Sequence, residues 1–147
     1  FIAQNAVERI ADVRVGGNPT GDLMIIQGPL ALDWHNRKWG ILPRIENADI
    51  SRAHPVSLER VANWIRQRIG VTGKPDWIFI KVHTHGCQEA NSPAIFDGSL
   101  HEALRPCRLH YVTAREMFNL IKAAESGETG DPNLLRDFLL PPPLIRQ

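Results

Sequence analysis

The chain has 147 residues, of which 43% are hydrophobic and 22% charged, a composition that is ordinary for a globular protein. This length is enough for one domain with its own core. The formal net charge of +1 gives no strong electrostatic attraction to nucleic acid or to an acidic membrane. No apolar run approaches the roughly 18 residues that a membrane-spanning helix needs, so we expect no membrane span.

The first part of the chain predicts short elements separated by turns. Apolar residues at spacings of three and four within residues 2–11 predict a short helix or the tail of one. Val13 and Val15 alternate with charged residues, as in a brief strand, and residues 16–21 have the turn chemistry of a loop. The apolar run over residues 23–27 predicts a buried strand.

Residues 28–55 show no sustained period and hold two tryptophans and a polar cluster. A long irregular stretch in a compact domain is usually functional or partly disordered. One interpretation is a solvated loop with a local ion pair. The other is a substrate-binding loop in which Trp34 and Trp39 stack on sugar rings beside Arg44 and Glu46, although tryptophans also commonly fill cores.

A helical stretch between two strand-like runs predicts a parallel crossover. Residues 57–69 carry a buried apolar stripe, with Ser57 as the N-cap and Gly70 as the C-terminal glycine. A run of strand composition follows over residues 76–83. The strand at 23–27, this helix and the strand at 76–83 would then form a βαβ unit.

The last part of the chain predicts a third strand followed by two helices. Residues 108–112 have strand composition, and Thr113 with Glu116 matches the capping box of a following helix. Residues 131–139 predict one more short helix. Residues 141–147 form a proline-rich tail.

Strands that alternate with helices predict the α/β class, with a parallel sheet and flanking helices. Because three or four strands make a thin sheet, two organisations fit: a single α/β domain over residues 1–147, or the C-terminal portion of a larger barrel. The chain begins at Phe1 and shows no signal peptide. We interpret it as either a processed product or a piece of a longer protein.

His83 and His85 follow the predicted central strand and are the leading candidates for catalysis. If the strand persists, both side chains point the same way, at the strand end where α/β folds build their sites. A His-x-His pair can offer two imidazoles to one metal ion, most often zinc. His110 is the third ligand that we predict, with His101, Glu89 or a loop carboxylate as alternatives. The other interpretation of His110 is a buried histidine with a structural hydrogen-bond partner. In the competing interpretation, one histidine caps the strand end and the other is solvated.

The two cysteines, Cys87 and Cys107, set no disulfide framework and lack metal-site spacing. They form a single disulfide if the compartment oxidises, or remain two partly buried thiols. Cys87 is also a candidate nucleophile that would pair with the neighbouring His85.

Five strings carry a family resemblance. They are Ile78-Phe-Ile-Lys-Val-His-Thr-His-Gly86, Arg108-Leu-His-Tyr-Val-Thr-Ala-Arg-Glu-Met117, Leu139-Leu-Pro-Pro-Pro143, Gln27-Gly-Pro-Leu30 and Pro43-Arg-Ile-Glu-Asn47. Together they resemble the C-terminal half of bacterial polysaccharide deacetylase-like proteins found with exopolysaccharide genes. The resemblance spans roughly residues 22–143.

The resemblance implies part of a deformed (β/α) barrel and a divalent-metal carbohydrate de-N-acetylase, with a zinc-like ion and a glycan substrate. In that family an aspartate pair near the N-terminus and a histidine pair hold the metal, and a late strand-end histidine assists catalysis. His83 best fits the late histidine and would protonate the leaving amine, with His85 as its neighbour or orienter. For a bacterial protein, the resemblance is compatible with a location in the cytoplasm or in the periplasm.

The chain also departs from the family. Its 147 residues contain neither the Thr-Phe-Asp-Asp string nor the His-Ser-x-x-His string. Either these strings lie in a missing N-terminal segment or the group has lost the chemistry, so we do not expect a complete deacetylase. The alternatives are a non-catalytic carbohydrate-binding or structural module, and a metal-dependent hydrolase of another substrate class. Half a barrel would also associate, through exposed sheet edges, with other copies or with the missing segment.

Overall fold

The computed structural model describes residues 7–18, 21, 23–86 and 88–144. The chain is a mixed α/β protein with a small parallel sheet, a small antiparallel sheet and helices. The strands are β1 (Val7–Arg9), β2 (Leu23–Ile25), β3 (Ala31–Lys38) and β4 (Leu42–Glu46). The α-helices are α1 (Leu58–Gln67), α2 (Ser92–Phe96), α3 (Ser99–Leu104) and α4 (Ala114–Glu125). Short 3-10 helices cover Ile10–Asp12, Glu89–Asn91 and Pro132–Leu135.

The described residues fall into two compact units, each built from separate stretches of sequence. Unit 1 draws on residues 1–27, 70–79 and 110–147, and unit 2 on residues 28–69 and 80–109. Among the described residues, no helix combines the length and the apolar character needed to cross a membrane.

In unit 1, α4 is the central helix. Thr113 and Glu116 form the predicted capping box, and Ile121 is fully buried. The Asn119 side chain is also fully buried. It donates to the carbonyls of Arg136 (2.6 Å) and Leu140 (2.8 Å) and accepts from the Leu140 amide at 2.8 Å. One amide side chain therefore fixes the 136–140 segment against α4.

Lys122 joins α4 to β1 within unit 1. Its Nζ lies 2.9 Å from Glu8 Oε2 and 3.0 Å from Glu125 Oε2, and both glutamates are buried. Burial alone would lower the pKa of Lys122. The hydrogen bonds to the two carboxylates and their negative charges outweigh burial, so the pKa of Lys122 lies above its ordinary value.

In unit 2, β3 and β4 form an antiparallel hairpin, with Leu32 paired to Ile45 and Asp33 to Arg44. The Ile41 amide donates to the Lys38 carbonyl at 3.3 Å across the turn. The two central residues, Trp39 and Gly40, have φ of 55° and 75°. Positive φ at both central positions is the mark of a type I′ turn, whose twist suits a hairpin.

The core of unit 2 forms where α1 packs. Ala48, Val61, Trp64 and Leu104 are buried together, and Ile80 and Val82 pack against them. Ser57 caps α1 by accepting from the Arg60 amide, as predicted. The predicted stop at Gly70 is wrong, because Arg68 takes the left-handed conformation that ends the helix.

Two predicted strands, at residues 76–83 and 108–112, were wrong, and so was the crossover built on the first of them. Residues 108–112 and 76–82 lie outside any strand, and His83 makes one isolated parallel bridge to Asp49. An apolar run has strand composition without necessarily finding a partner strand, and pairing is what defines a strand. The predicted βαβ unit over residues 23–83 is therefore absent. Instead, α1 connects residues 48–50 to His83, which pair in the isolated parallel bridge.

The ends of the chain also differ from the sequence interpretation. Val7–Arg9 is strand β1 and not helix, and residues 2–6 of the predicted helix lie outside the described residues. The hairpin over residues 31–46 replaces an expected irregular loop. Of the proline-rich tail, residues 141–144 lie outside regular structure and 145–147 are outside the described residues.

Candidate metal centre

Backbone pairing brings Asp49 beside His83. The His83 amide donates to the Ala48 carbonyl at 3.1 Å, and the Ile50 amide donates to the His83 carbonyl at 2.8 Å. These two bonds place Asp49 and His83 opposite each other in a parallel bridge. Main-chain hydrogen bonds thus determine the position of these two candidate ligands relative to each other.

Asp49, His83 and His85 form a group that could hold a metal ion. One ligand atom from each residue lies within 4.8 Å of those of the other two. Asp49 is buried, His83 is half-buried and His85 is exposed. The rings of His83 and His85 meet edge to face, with centroids 5.6 Å apart and planes at 84°. The group therefore runs from the interior of unit 2 to its surface.

Two polar atoms of this group are buried without a hydrogen-bond partner. They are Asp49 Oδ1 and His83 Nδ1. Buried polar atoms are nearly always paired, and an unpaired one needs an explanation such as an ion that has yet to bind. A carboxylate oxygen and an imidazole nitrogen are both lone-pair donors, which is the chemistry that a cation requires.

The other carboxylate oxygen of Asp49 is occupied. Asp49 Oδ2 lies 3.3 Å from Ser51 Oγ and 3.3 Å from His54 Nδ1. The far nitrogen of His54, Nε2, lies 2.7 Å from Nη1 of Arg44. The two oxygens of one carboxylate therefore have different environments, one bonded to protein groups and one free.

A buried ion pair holds the segment that carries Asp49. Glu46 is 3% exposed and takes bonds from Arg60 Nε (2.5 Å), Arg60 Nη2 (2.9 Å) and Trp64 Nε1 (2.9 Å). Arg60 Nη2 also donates to the Asp49 carbonyl at 2.6 Å. Burial alone would raise the pKa of Glu46. The bonds from Arg60, Trp64 and the Ala48 amide outweigh it, so the pKa of Glu46 lies below its ordinary value.

Ala48, directly before Asp49, adopts a strained backbone conformation. Its φ is 60°, in the left-handed region that disfavours residues with a Cβ, and it is fully buried. Glu46 Oε1 holds it by accepting from the Ala48 amide at 2.8 Å. Strained residues of this kind collect at functional sites, where the surroundings compensate for the strain.

The other residues predicted from sequence lie outside this group. His110 belongs to unit 1, where its Nδ1 lies 3.3 Å from Asn133 Oδ1. Its role as a third metal ligand stays a prediction. Cys107 is exposed, whereas Cys87 lies outside the described residues, so the disulfide and nucleophile hypotheses stay predictions.

The four predicted substrate-binding residues divide into two kinds. Trp34 and Trp39 are 53% and 78% exposed on the hairpin, with Arg37 and Lys38 over their rings. Arg44 is half-buried against His54, and the buried Glu46 has a structural role in its ion pair. Binding of substrate by any of the four stays a prediction.

The sequence keeps a loop carboxylate open as the third ligand, but it singles out neither Asp49 nor the supporting His54. Asp49 lies between Ala48 and Ile50. A carboxylate between two apolar residues indicates only weakly that its side chain is buried and bound to partners. The partner in the bridge, His83, is 34 residues away, a pairing that no local pattern reports.

Comparisons of the chain with family models, with curated proteins and with solved structures found no match.

Proposed function

We propose that unit 2 binds one divalent metal ion through Asp49, His83 and His85, and that the protein uses this ion to hydrolyse an acetylated glycan. The observation that carries the proposal is the pair of buried, unpartnered ligand atoms, Asp49 Oδ1 and His83 Nδ1, within a three-residue donor group. Three protein ligands leave a metal with open positions, which is the arrangement of catalytic rather than structural sites.

A bound ion of this kind polarises a carbonyl group and makes a bound water more acidic. The three side chains have different exposures and hence different roles. Asp49 and His83 are fixed by the backbone bridge, so they are the positioned ligands. His85 is exposed, so it is the group of the three that an arriving substrate meets first. An imidazole there can complete the ligand set or supply a proton to a leaving amine.

The substrate class and the larger fold rest on the sequence resemblance. The strings around His83 and Arg44 resemble the late part of polysaccharide deacetylase-like proteins, so we propose an N-acetylated polysaccharide as substrate. On the same ground we propose that the chain supplies part of a deformed (β/α) barrel. The exposed Trp34 and Trp39 offer flat apolar faces to a sugar ring, which agrees with a glycan ligand.

Two metals with different reactivity would suit this donor group, so the identity of the metal decides which reaction the site supports. Nitrogen and carboxylate ligands suit zinc, but two histidines with one carboxylate and open positions also suit non-haem Fe(II). Zinc supports hydrolysis, whereas Fe(II) supports reactions with dioxygen. We propose the zinc-like assignment because the resemblance implies hydrolysis.

The test is release of acetate from N-acetylated chitooligosaccharides by the natural protein that carries this chain. We expect release that stops in chelator and returns with zinc or cobalt. His83→Gln should lower the rate by about 100-fold or more, the usual loss for a group in acid–base or metal chemistry. His35→Gln, at an exposed position of β3, is the matched control and should match the wild type.

Three outcomes would overturn the proposal. Acetate release that is the same in chelator, or the same in His83→Gln, would show that this group does no hydrolysis. Glycan binding that persists in chelator without acetate release would support the non-catalytic carbohydrate-binding module instead.

A further inference from the structure

The loop between β4 and α1 makes a tight turn directly beside Asp49. Ser51 and His54 pair as an antiparallel bridge, with the Ser51 amide 3.2 Å from the His54 carbonyl and the His54 amide 3.0 Å from the Ser51 carbonyl. The Arg52 amide donates to Asn91 Oδ1 at 3.1 Å, and Asn91 is buried. The turn is therefore closed on itself and anchored to the rest of unit 2.

This turn directs two donors at one oxygen of Asp49. Ser51 Oγ and His54 Nδ1 each lie 3.3 Å from Asp49 Oδ2, at the long end of hydrogen-bond distances. Asp49 Oδ1 is left buried and without a partner. A carboxylate with one oxygen held by the protein and one free is prepared to bind a metal through the free oxygen alone.

Arg44 determines which nitrogen of His54 carries the proton. A guanidinium group has only donors, so Arg44 Nη1 at 2.7 Å from His54 Nε2 requires that nitrogen to accept. In neutral imidazole the other nitrogen then bears the hydrogen. His54 Nδ1 is therefore the donor that faces Asp49 Oδ2, and Arg44 keeps it so.

We infer that Arg44, His54 and Ser51 act together as a carboxylate clamp that makes Asp49 a one-oxygen metal ligand through Oδ1. The inference rests on the metal site proposed above and goes beyond it, because it assigns positioning roles to three residues outside the metal-ligand group. Hydrogen-bonded supports of this kind commonly account for about 10–100-fold in metal affinity.

The test uses cobalt(II), whose visible absorption per ion falls as its coordination number rises. His54→Phe removes both hydrogen bonds of the imidazole and frees Asp49 to bind through two oxygens. We expect cobalt affinity to fall about 10–100-fold and the absorption per bound cobalt to fall as well. A purely structural role of His54 would lower stability without changing the spectrum of the bound ion.

Two further variants separate the clamp from general damage. His54→Asn places an amide N–H near the position of Nδ1, so it should restore most of the affinity and the wild-type spectrum. Arg44→Met leaves His54 in place but no longer fixes which imidazole nitrogen carries the proton. It should therefore shift both the cobalt affinity and the spectrum in the same direction as His54→Phe. His35→Phe is the matched control for a histidine-to-phenylalanine change, because the His35 side chain is 77% exposed on β3 and lies outside the metal-ligand group.

The outcomes distinguish this inference from the proposed function. If the wild-type chain binds no cobalt, the metal site itself fails. If the wild type binds cobalt but His54→Phe and Arg44→Met both match it in affinity and spectrum, the clamp alone is wrong. Should His54→Phe not fold, Arg44→Met and His54→Asn decide the matter by the same two readouts.

Discussion

Glu46 shows how a single residue is read differently in sequence and in structure. In sequence it belongs to a polar cluster and predicts a substrate ligand. In the structure it is 3% exposed, and its two oxygens bind Arg60, Trp64 and the Ala48 amide. A polar residue in a polar segment gives no local sign of burial, because burial here depends on Arg60, 14 residues away.

Replacing Glu46 by Gln should destabilise the protein strongly. The change leaves the Arg60 guanidinium, itself 7% exposed, buried without a counter-charge. Breaking a buried ion pair from one side typically costs about 3–5 kcal/mol. Denaturant unfolding at neutral pH measures the loss, with Glu102→Gln as the exposed control. A loss no larger than that of the control would contradict the assigned role of Glu46.

The same pair predicts a pH dependence. The folded-state pKa of Glu46 is lowered from 4.5, so its contribution is present above the unfolded pKa and is lost as pH falls through the folded value. The difference in unfolding free energy between wild type and Glu46→Gln should therefore shrink as the pH falls below 4.5. A difference that stays constant from neutral to acid pH would show that the ion pair is not its source.

At the scale of elements, the capped helices were predictable from the sequence, whereas the pairing of strands was not. Ser57 and Thr113 each bond an amide three residues ahead, so the signal and the interaction are both local. The hairpin over residues 31–46 was missed because its apolar residues are largely exposed and give no in-out alternation. The local sequence signal for the hairpin turn was the Trp39-Gly40 pair. In the structure both residues have positive φ and form the centre of that turn.

The hairpin turn gives a matched pair of glycine substitutions. Gly40 has φ of +75°, and an added Cβ would meet nothing within 4 Å. Gly40→Ala should therefore cost about 1 kcal/mol through backbone conformation alone. Gly130 has equal space around it without a positive φ, so Gly130→Ala should be neutral or slightly stabilising. Equal unfolding free energies for the two variants would contradict the type I′ turn.

At the scale of the whole molecule, the sequence predicted the α/β class but not the division into units. Each unit is assembled from separate stretches, so no composition change marks a boundary. In unit 1, Lys122 binds Glu8 across 114 residues. The candidate metal group has the same character, since Asp49 and His83 meet only through the folded backbone. Local patterns found the histidines, and tertiary structure supplied the aspartate.

The most direct test of the central claim is calorimetric titration of zinc into the wild-type chain and into Asp49→Asn. Asp49 is the decisive position because its free oxygen is buried within the group. We predict about one ion per wild-type chain, and affinity at least ~10-fold weaker in Asp49→Asn, because losing a ligand costs no less than losing a hydrogen-bonded support. His35→Gln, an exposed histidine outside the group, should bind like the wild type. Absence of zinc binding, or equal affinity in wild type and Asp49→Asn, would contradict a metal centre at Asp49, His83 and His85.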